Sequence, residues 1–143
     1  MRKRTGAEIW LLQKPDADQP AEVLLLRKKH GTYPAFWQPA TGGQEPQETI
    51  RQTAIREALE ETGVQLFDDQ LVMLGQGQEV EMQKAFFIWV GTAFYAWLSP
   101  EQSAQVRISD EHDGHGWFTF EQAREILFWP INFENLELLA AEI

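Results

Sequence analysis

Apolar and polar positions along the chain change rhythm from element to element. Residues 5–13 (TGAEIWLLQ) and 22–28 (EVLLLRK) carry short apolar runs and predict two strands, the second apolar enough to be central. Between them PDADQP (15–20) predicts a turn, and residues 31–43, rich in Gly, Pro and aromatics, predict a loop. Thr49-Ile50-Arg51-Gln52 fits a capping box, so a helix is expected from about Ile50 to Gly63, which suits a left-handed cap. Residues 71–81 and 86–98 predict strands, the latter (FFIWVGTAFYAWL) with a bend near Gly91. Shorter strands are expected at Val106 and at 116–118. A second capping box, Thr119 to Gln122, opens a helix to about Phe128; Pro130 breaks it, and Asn132 is expected to cap a last helix. The sum is an α/β chain, a mixed sheet with a few covering helices.

Composition narrows what such a chain does. Its 143 residues predict one domain over 1–143, long enough for a real core. There are no cysteines, which excludes disulfides and thiolate metal sites and fits a reducing, cytoplasmic setting. The apolar run at 9–12 is too short for a signal peptide, and no run reaches transmembrane length. A net charge of −10, with basic runs only at 2–4 and 27–30, argues against nucleic acid and membrane partners. Small anionic ligands stay open if a metal screens the charge.

The chemistry concentrates between Gly42 and Val64, where Glu57, Glu60 and Glu61 crowd one predicted helix. Like charges at i,i+4 cost roughly 0.2–0.5 kcal/mol per pair unless neutralised. At ~100° per residue the three carboxylates share an arc of about 100°. Glu61 falls between Ile50 and Ala54, at the edge of the apolar arc. A solvated acidic face is the plain alternative, but it would avoid that arc, because a buried unpaired carboxylate is costly. Hard oxygens on adjacent turns suit Mg²⁺ or Mn²⁺.

These residues complete a known pattern. Gly42, Glu48, Arg56-Glu57, Ala58, Glu60-Glu61, Gly63 and Val64 stand at the spacing of the Nudix box, and the chain resembles the Nudix hydrolases. The resemblance implies a Nudix-type α/β/α sandwich whose box helix carries the metal site. It implies hydrolysis of a nucleoside diphosphate linked to another group. Glu57 and Glu61 would be the principal metal ligands, with Glu60 supporting and the backbone carbonyl of Thr41 adding an oxygen. Arg56 would pair with Glu48 and orient Glu57. Gly42 and Gly43, at the start of the box, are placed with the substrate.

A finer resemblance, to the dihydroneopterin triphosphate (dATP) pyrophosphohydrolases, rests on Phe36-Trp37-Gln38 before Thr41-Gly42 and on Glu111-His112 before Trp117. It makes Glu111 a further ligand or base, Trp37 and Gln38 substrate contacts, and Arg27 a phosphate contact. The Trp129…Asn132 pair resembles a late W…N segment of that group, at a spacing one residue longer. Each has a plainer alternative: Trp37 as loop packing, Glu111 as part of a polar loop, Arg27 as a solvated strand-end charge, Trp129 as core. His30, His112 and His115 have no zinc spacing. The absence of proline between Pro46 and Pro100 speaks against ADP-ribose, and Pro39-Ala40-Thr41-Gly42 differs from the proline-lysine-glycine approach usual in dinucleoside polyphosphate hydrolases. The expectation is a Mg²⁺-dependent pyrophosphohydrolase of a (deoxy)nucleoside or pterin triphosphate. The alternatives are hydrolysis of ADP-ribose or a dinucleoside polyphosphate, or a nucleotide-binding module without turnover. A homodimer is compatible with the chain but nothing specifies one.

Overall fold

β1 (Lys3–Gln13) organises the sheet because both of its faces are buried. Ala7, Ile9 and Leu11 join one hydrophobic cluster, while Trp10 and Leu12 join another. Such a two-faced apolar strand must lie between layers. The structure, a computed structural model, describes residues 1–29 and 31–143; His30 lies outside the described residues.

β1 runs antiparallel to β2 (Glu22–Lys28) and to β4 (Ala40–Gly43), and parallel to β7 (Ile88–Trp97). β3 (Phe36–Gln38) and β8 (His112–Thr119) flank β2, and β5 (Val72–Met73) and β6 (Val80–Gln83) pair with β7. The result, among the described residues, is a mixed sheet of eight strands. α1 (Ile50–Thr62) covers one face through Ala54 and Ala58. α3 (Phe120–Ile126) and α4 (Pro130–Glu142) cover the other through Ala123, Leu136 and Leu139. The expected α/β/α sandwich is the observed fold.

Several local expectations are corrected. Residues 31–43 contain β3 and β4, which lack a long apolar run because they pair over only three and four residues. The 71–81 strand is two short strands separated by turns at Gly75 (φ 62°) and Gly77 (φ 70°). β7 pairs with β1 in unbroken register through Gly91, so there is no bend there; the missing side chain makes room for the Trp89 indole. Val106 lies in a loop, while α2 (Pro100–Ala104) forms behind a third capping box, Ser99 to Gln102. α4 begins at Pro130 without a side-chain cap. Asn132 is instead buried, donating from Nδ2 to Glu8 Oε1 at 2.8 Å. No helix among the described residues is long and apolar enough to cross a membrane.

Candidate active site

The capping box holds as read: Thr49 Oγ1 accepts from the Gln52 N–H at 3.1 Å, and Gln52 Oε1 accepts from the Thr49 N–H at 2.8 Å. Gly63, at φ 74°, ends the helix. Ala54 and Ala58 are fully buried against the sheet, and their small side chains let α1 lie close to β1 and β4. Glu61 follows Ala54 and Ala58 on the same face and is only 4% exposed. Its Oε1 accepts the Thr41 N–H at 3.0 Å. Burial, with Glu57 and Glu111 adding to it, pushes the Glu61 carboxyl up to about 8, against the pull of the Thr41 N–H and Lys28. Burial also raises Glu57, with Glu60 and Glu111 contributing and Arg56 opposing.

Arg56 ties this helix to the loop before it. Nε and Nη2 donate to the two oxygens of Glu48 at 2.7 and 2.9 Å. Nη1 donates to Glu57 at 2.7 Å and Glu60 at 3.2 Å, and Nη2 also reaches the Gly43 carbonyl at 2.8 Å. All five guanidinium N–H groups are thereby engaged, so Arg56 orients carboxylates and has no donor left for a phosphate. Glu48 also accepts from Thr53 Oγ1 and the Glu45 N–H, and the Arg56 contact chiefly holds its carboxyl at about 2.

Gly42 has a stricter role than a substrate contact. A Cβ at this position would overlap the carboxylate of Glu57. Glu57 is seated against the bare backbone of β4, which explains a glycine at the first position of the motif.

Glu57, Glu60, Glu61 and Glu111 border one cleft of about 510 Å³, with Thr41, Gly42, Gly43 and two cations, Arg4 and Lys28. Glu57 and Glu60 also border a second groove of about 960 Å³, lined by Arg2, Lys3 and Arg4. Three of the substrate assignments do not reach the cleft. Arg27 alternates with Leu24, Leu26 and Lys28 along β2, so Lys28 faces the α1 side while Arg27 faces away and pairs with Asp113 at 2.9 Å. Trp37 packs edge-on against Phe118, 5.3 Å between centroids, on the α3 side. Gln38 is buried and lines a neighbouring aromatic pocket instead. Strand alternation in EVLLLRK carried the signal for Lys28; Arg4 gave none, because its approach depends on the β1–β4 pairing.

The donor set fits a hard divalent cation. Carboxylates with raised pKa values sit beside one another, and the bare backbone at Gly42 leaves room for one of them. Among the described residues no three acidic or imidazole side chains are already gathered at metal-ligand spacing.

The NUDIX domain family profile matches residues 3–140. The chain belongs to the Nudix family. It is a Nudix hydrolase, and hydrolases of this family generally use divalent metals. It is similar to the asymmetrical bis(5'-nucleosyl)-tetraphosphatase of Sus scrofa, 32% identical over 115 residues, which span 78% of this chain and 74% of that one. In fold it resembles a binary complex of C. elegans Ap4A hydrolase, with a TM-score of 0.75 at 24% identity over 99% of this chain and 96% of that one. It also resembles the NUDIX domain of Shewanella oneidensis NrtR complexed with ADP ribose, with a TM-score of 0.79 at 16% identity, covering 99% and 88%. None of these three is a dihydroneopterin triphosphate pyrophosphohydrolase, so the finer resemblance drawn from Phe36-Trp37-Gln38 and Glu111-His112 is not the one these comparisons support. The sequence filter at Pro39-Ala40-Thr41 rested on side chains with structural roles. Ala40 is 2% exposed and packs in the core, and Thr41 donates its backbone N–H to Glu61 and its hydroxyl to the Pro39 carbonyl.

Proposed function

We propose that this Nudix hydrolase cleaves dinucleoside polyphosphates asymmetrically, with Mg²⁺ or Mn²⁺ as cofactor. The identity with the tetraphosphatase carries this reading. The geometry agrees with it: Glu57 and Glu60 stand between two open depressions, the 510 Å³ cleft and the 960 Å³ groove of mixed charge, so a substrate can extend both ways from the carboxylates. Glu57 and Glu61 hold the cation in this reading, with Glu60, Glu111 and the Thr41 carbonyl bordering it. A bound divalent cation neutralises phosphate oxygens and lowers the pKa of a coordinated water. Arg56 and Glu48 keep Glu57 in place, and Arg4 and Lys28 offset phosphate charge along the cleft.

The deciding assay offers diadenosine tetraphosphate, dATP, dihydroneopterin triphosphate and ADP-ribose in turn, with Mg²⁺. ATP and AMP are the expected products of the first. Pyrophosphate release from either triphosphate, with the dinucleotide left intact, would restore the triphosphate reading.

A second expectation concerns stability. Glu61 rises from an ordinary 4.5 to about 8 in the folded chain, and Glu57 moves the same way. Between those values the folded protein holds protons that the unfolded chain has released, so their contribution to stability falls as pH rises. A cation that binds the ionised pair removes the penalty. Saturating Mg²⁺ is therefore expected to raise Tm more at pH 8.5 than at pH 5, by up to about 2.7 kcal/mol of added stability at a hundredfold excess over Kd. Equal increments at both pH values would count against Glu57 and Glu61 as the ligands.

A further inference from the structure

Glu57, Glu60 and Glu61 stand on α1, whereas Glu111 reaches the same cleft from the loop that precedes β8. Loop carboxylates are ordinarily mobile, so the place of this one is set by whatever ties the loop down. Ser109 and His112 are the ends of a turn with Asp110 and Glu111 at its centre. The His112 N–H donates to the Ser109 carbonyl at 3.1 Å and closes that turn. The Lys29 N–H donates to the Glu111 carbonyl at a long 3.4 Å, which is a weak anchor. The remaining link is between side chains: Ser109 Oγ lies 3.2 Å from His112 Nδ1.

The pairing of β8 with β2 explains how a histidine comes to be buried there. Arg27 lies opposite Gly114 and Lys28 opposite His112, so Asp113 is an extra residue in the ladder. A bulge of this kind re-aims the side chains beside it. Asp113 pairs with Arg27 at 2.9 Å, and His112, opposite Lys28, is only 5% exposed. Its Nε2 is buried with no hydrogen-bond partner among the described residues. An unmet buried polar atom costs about 1–3 kcal/mol, so packing alone would favour an aliphatic residue at this position. The ring's polar contact among the described residues is to Ser109, across the turn that carries Glu111.

We propose that His112 is a positioning residue for the hydrolysis: its imidazole, joined to Ser109, fixes the turn that holds the Glu111 carboxylate in the cleft with Glu57 and Glu61. The proposal rests on the reading above in which Glu111 borders the cation. Glu111 lies close enough to push the carboxyls of both Glu57 and Glu61 upward, so its placement is felt by the two principal ligands. Without the Ser109 link the turn must be ordered each time a cation binds, at a cost in backbone entropy. Partners that hold a ligand in this way are worth about ten- to hundredfold in metal affinity or activity.

The test titrates Mn²⁺ into the full chain, followed by electron paramagnetic resonance, for the parent protein and for variants at 109, 111 and 112. His112→Leu removes the Ser109 link and should weaken Mn²⁺ binding about tenfold or more. Ser109→Ala breaks the same link from the other side and should act in the same direction, which keeps the test decisive where His112→Leu does not fold. His112→Asn puts a polar atom where Nδ1 stood. It leaves a cavity, so its melting temperature should fall, yet its Mn²⁺ affinity should recover to near the parent value. In a Glu111→Gln background His112→Leu should cause no further loss, because the carboxylate it positions is gone. In metal-free protein, amide exchange at His112 and Lys29 should quicken in His112→Leu and Ser109→Ala but not in Glu111→Gln. Losses from His112→Leu and Glu111→Gln that multiply when combined overturn the proposal. So does a His112→Asn protein as weak as His112→Leu, a Ser109→Ala protein with parental affinity, or unaltered exchange. A Glu111→Gln protein with parental Mn²⁺ affinity overturns the reading of Glu111 and the proposal with it. Failure of the substrate reading shows separately, as intact dinucleotide in the product assay.

Discussion

Glu57→Gln is expected to lower turnover by about a thousandfold, the equivalent of roughly 4 kcal/mol of transition-state stabilisation supplied through a metal. The fold should survive. Gln keeps an oxygen that can accept the Arg56 Nη1 donor now 2.7 Å from Glu57 Oε1. It also removes a carboxyl whose pKa burial has raised, so the ionised form is no longer held at a cost. Initial rates at saturating Mg²⁺, beside a thermal melt, read both parts. Glu60→Gln is the comparison, because its side chain is 57% exposed and reaches Arg56 at a longer 3.2 Å; its loss should be smaller. A Glu57→Gln protein with full activity would sink the metal-ligand assignment, while an unfolded one would move the residue from chemistry to architecture.

Gly42→Ala should be nearly as damaging to activity, though residue 42 carries no functional group. The backbone there does not need glycine for its φ; the space does. An alanine Cβ would overlap the Glu57 carboxylate, so that side chain must leave its seat and give up the geometry set by Arg56. We expect a loss of two to three orders of magnitude in turnover, near that of the direct substitution, with an overpacking cost of about 1–3 kcal/mol. Gly43→Ala provides the contrast: its Cβ would lie 3.3 Å from Arg4 Nη2, the far end of a flexible side chain. Kinetics and Mn²⁺ binding by electron paramagnetic resonance would separate the two variants. If Gly42→Ala bound Mn²⁺ and turned over normally, the seat described here would not matter to the metal.

What could be read without coordinates follows from range. The Thr49–Gln52 box, the Gly63 cap and the arc that buries Glu61 are decided within a few residues, by hydrogen bonds and the helical repeat. The pairing of Arg56 with Glu48 was available only through the family pattern, since eight residues and a turn separate them. Arg27 and Trp37 lie off the carboxylate cleft; single residues were matched without asking which sheet face each takes. A strand places neighbours on opposite faces, and that one step puts Lys28 at the cleft and Arg27 on the far side. Asn132 failed as a cap because a buried carboxylate more than a hundred residues away in sequence claims its amide.

The sequence by itself determined the family, the sandwich and the helix that carries the carboxylates, because periodicity, capping and motif spacing are local properties. Only the tertiary structure decided which cations face those carboxylates, why residue 42 must be small, and that the turn before β8, pinned to β2, carries Glu111 to the cleft. Each of those depends on strands and helices far apart in the chain meeting in one register, and no local spacing records such a meeting.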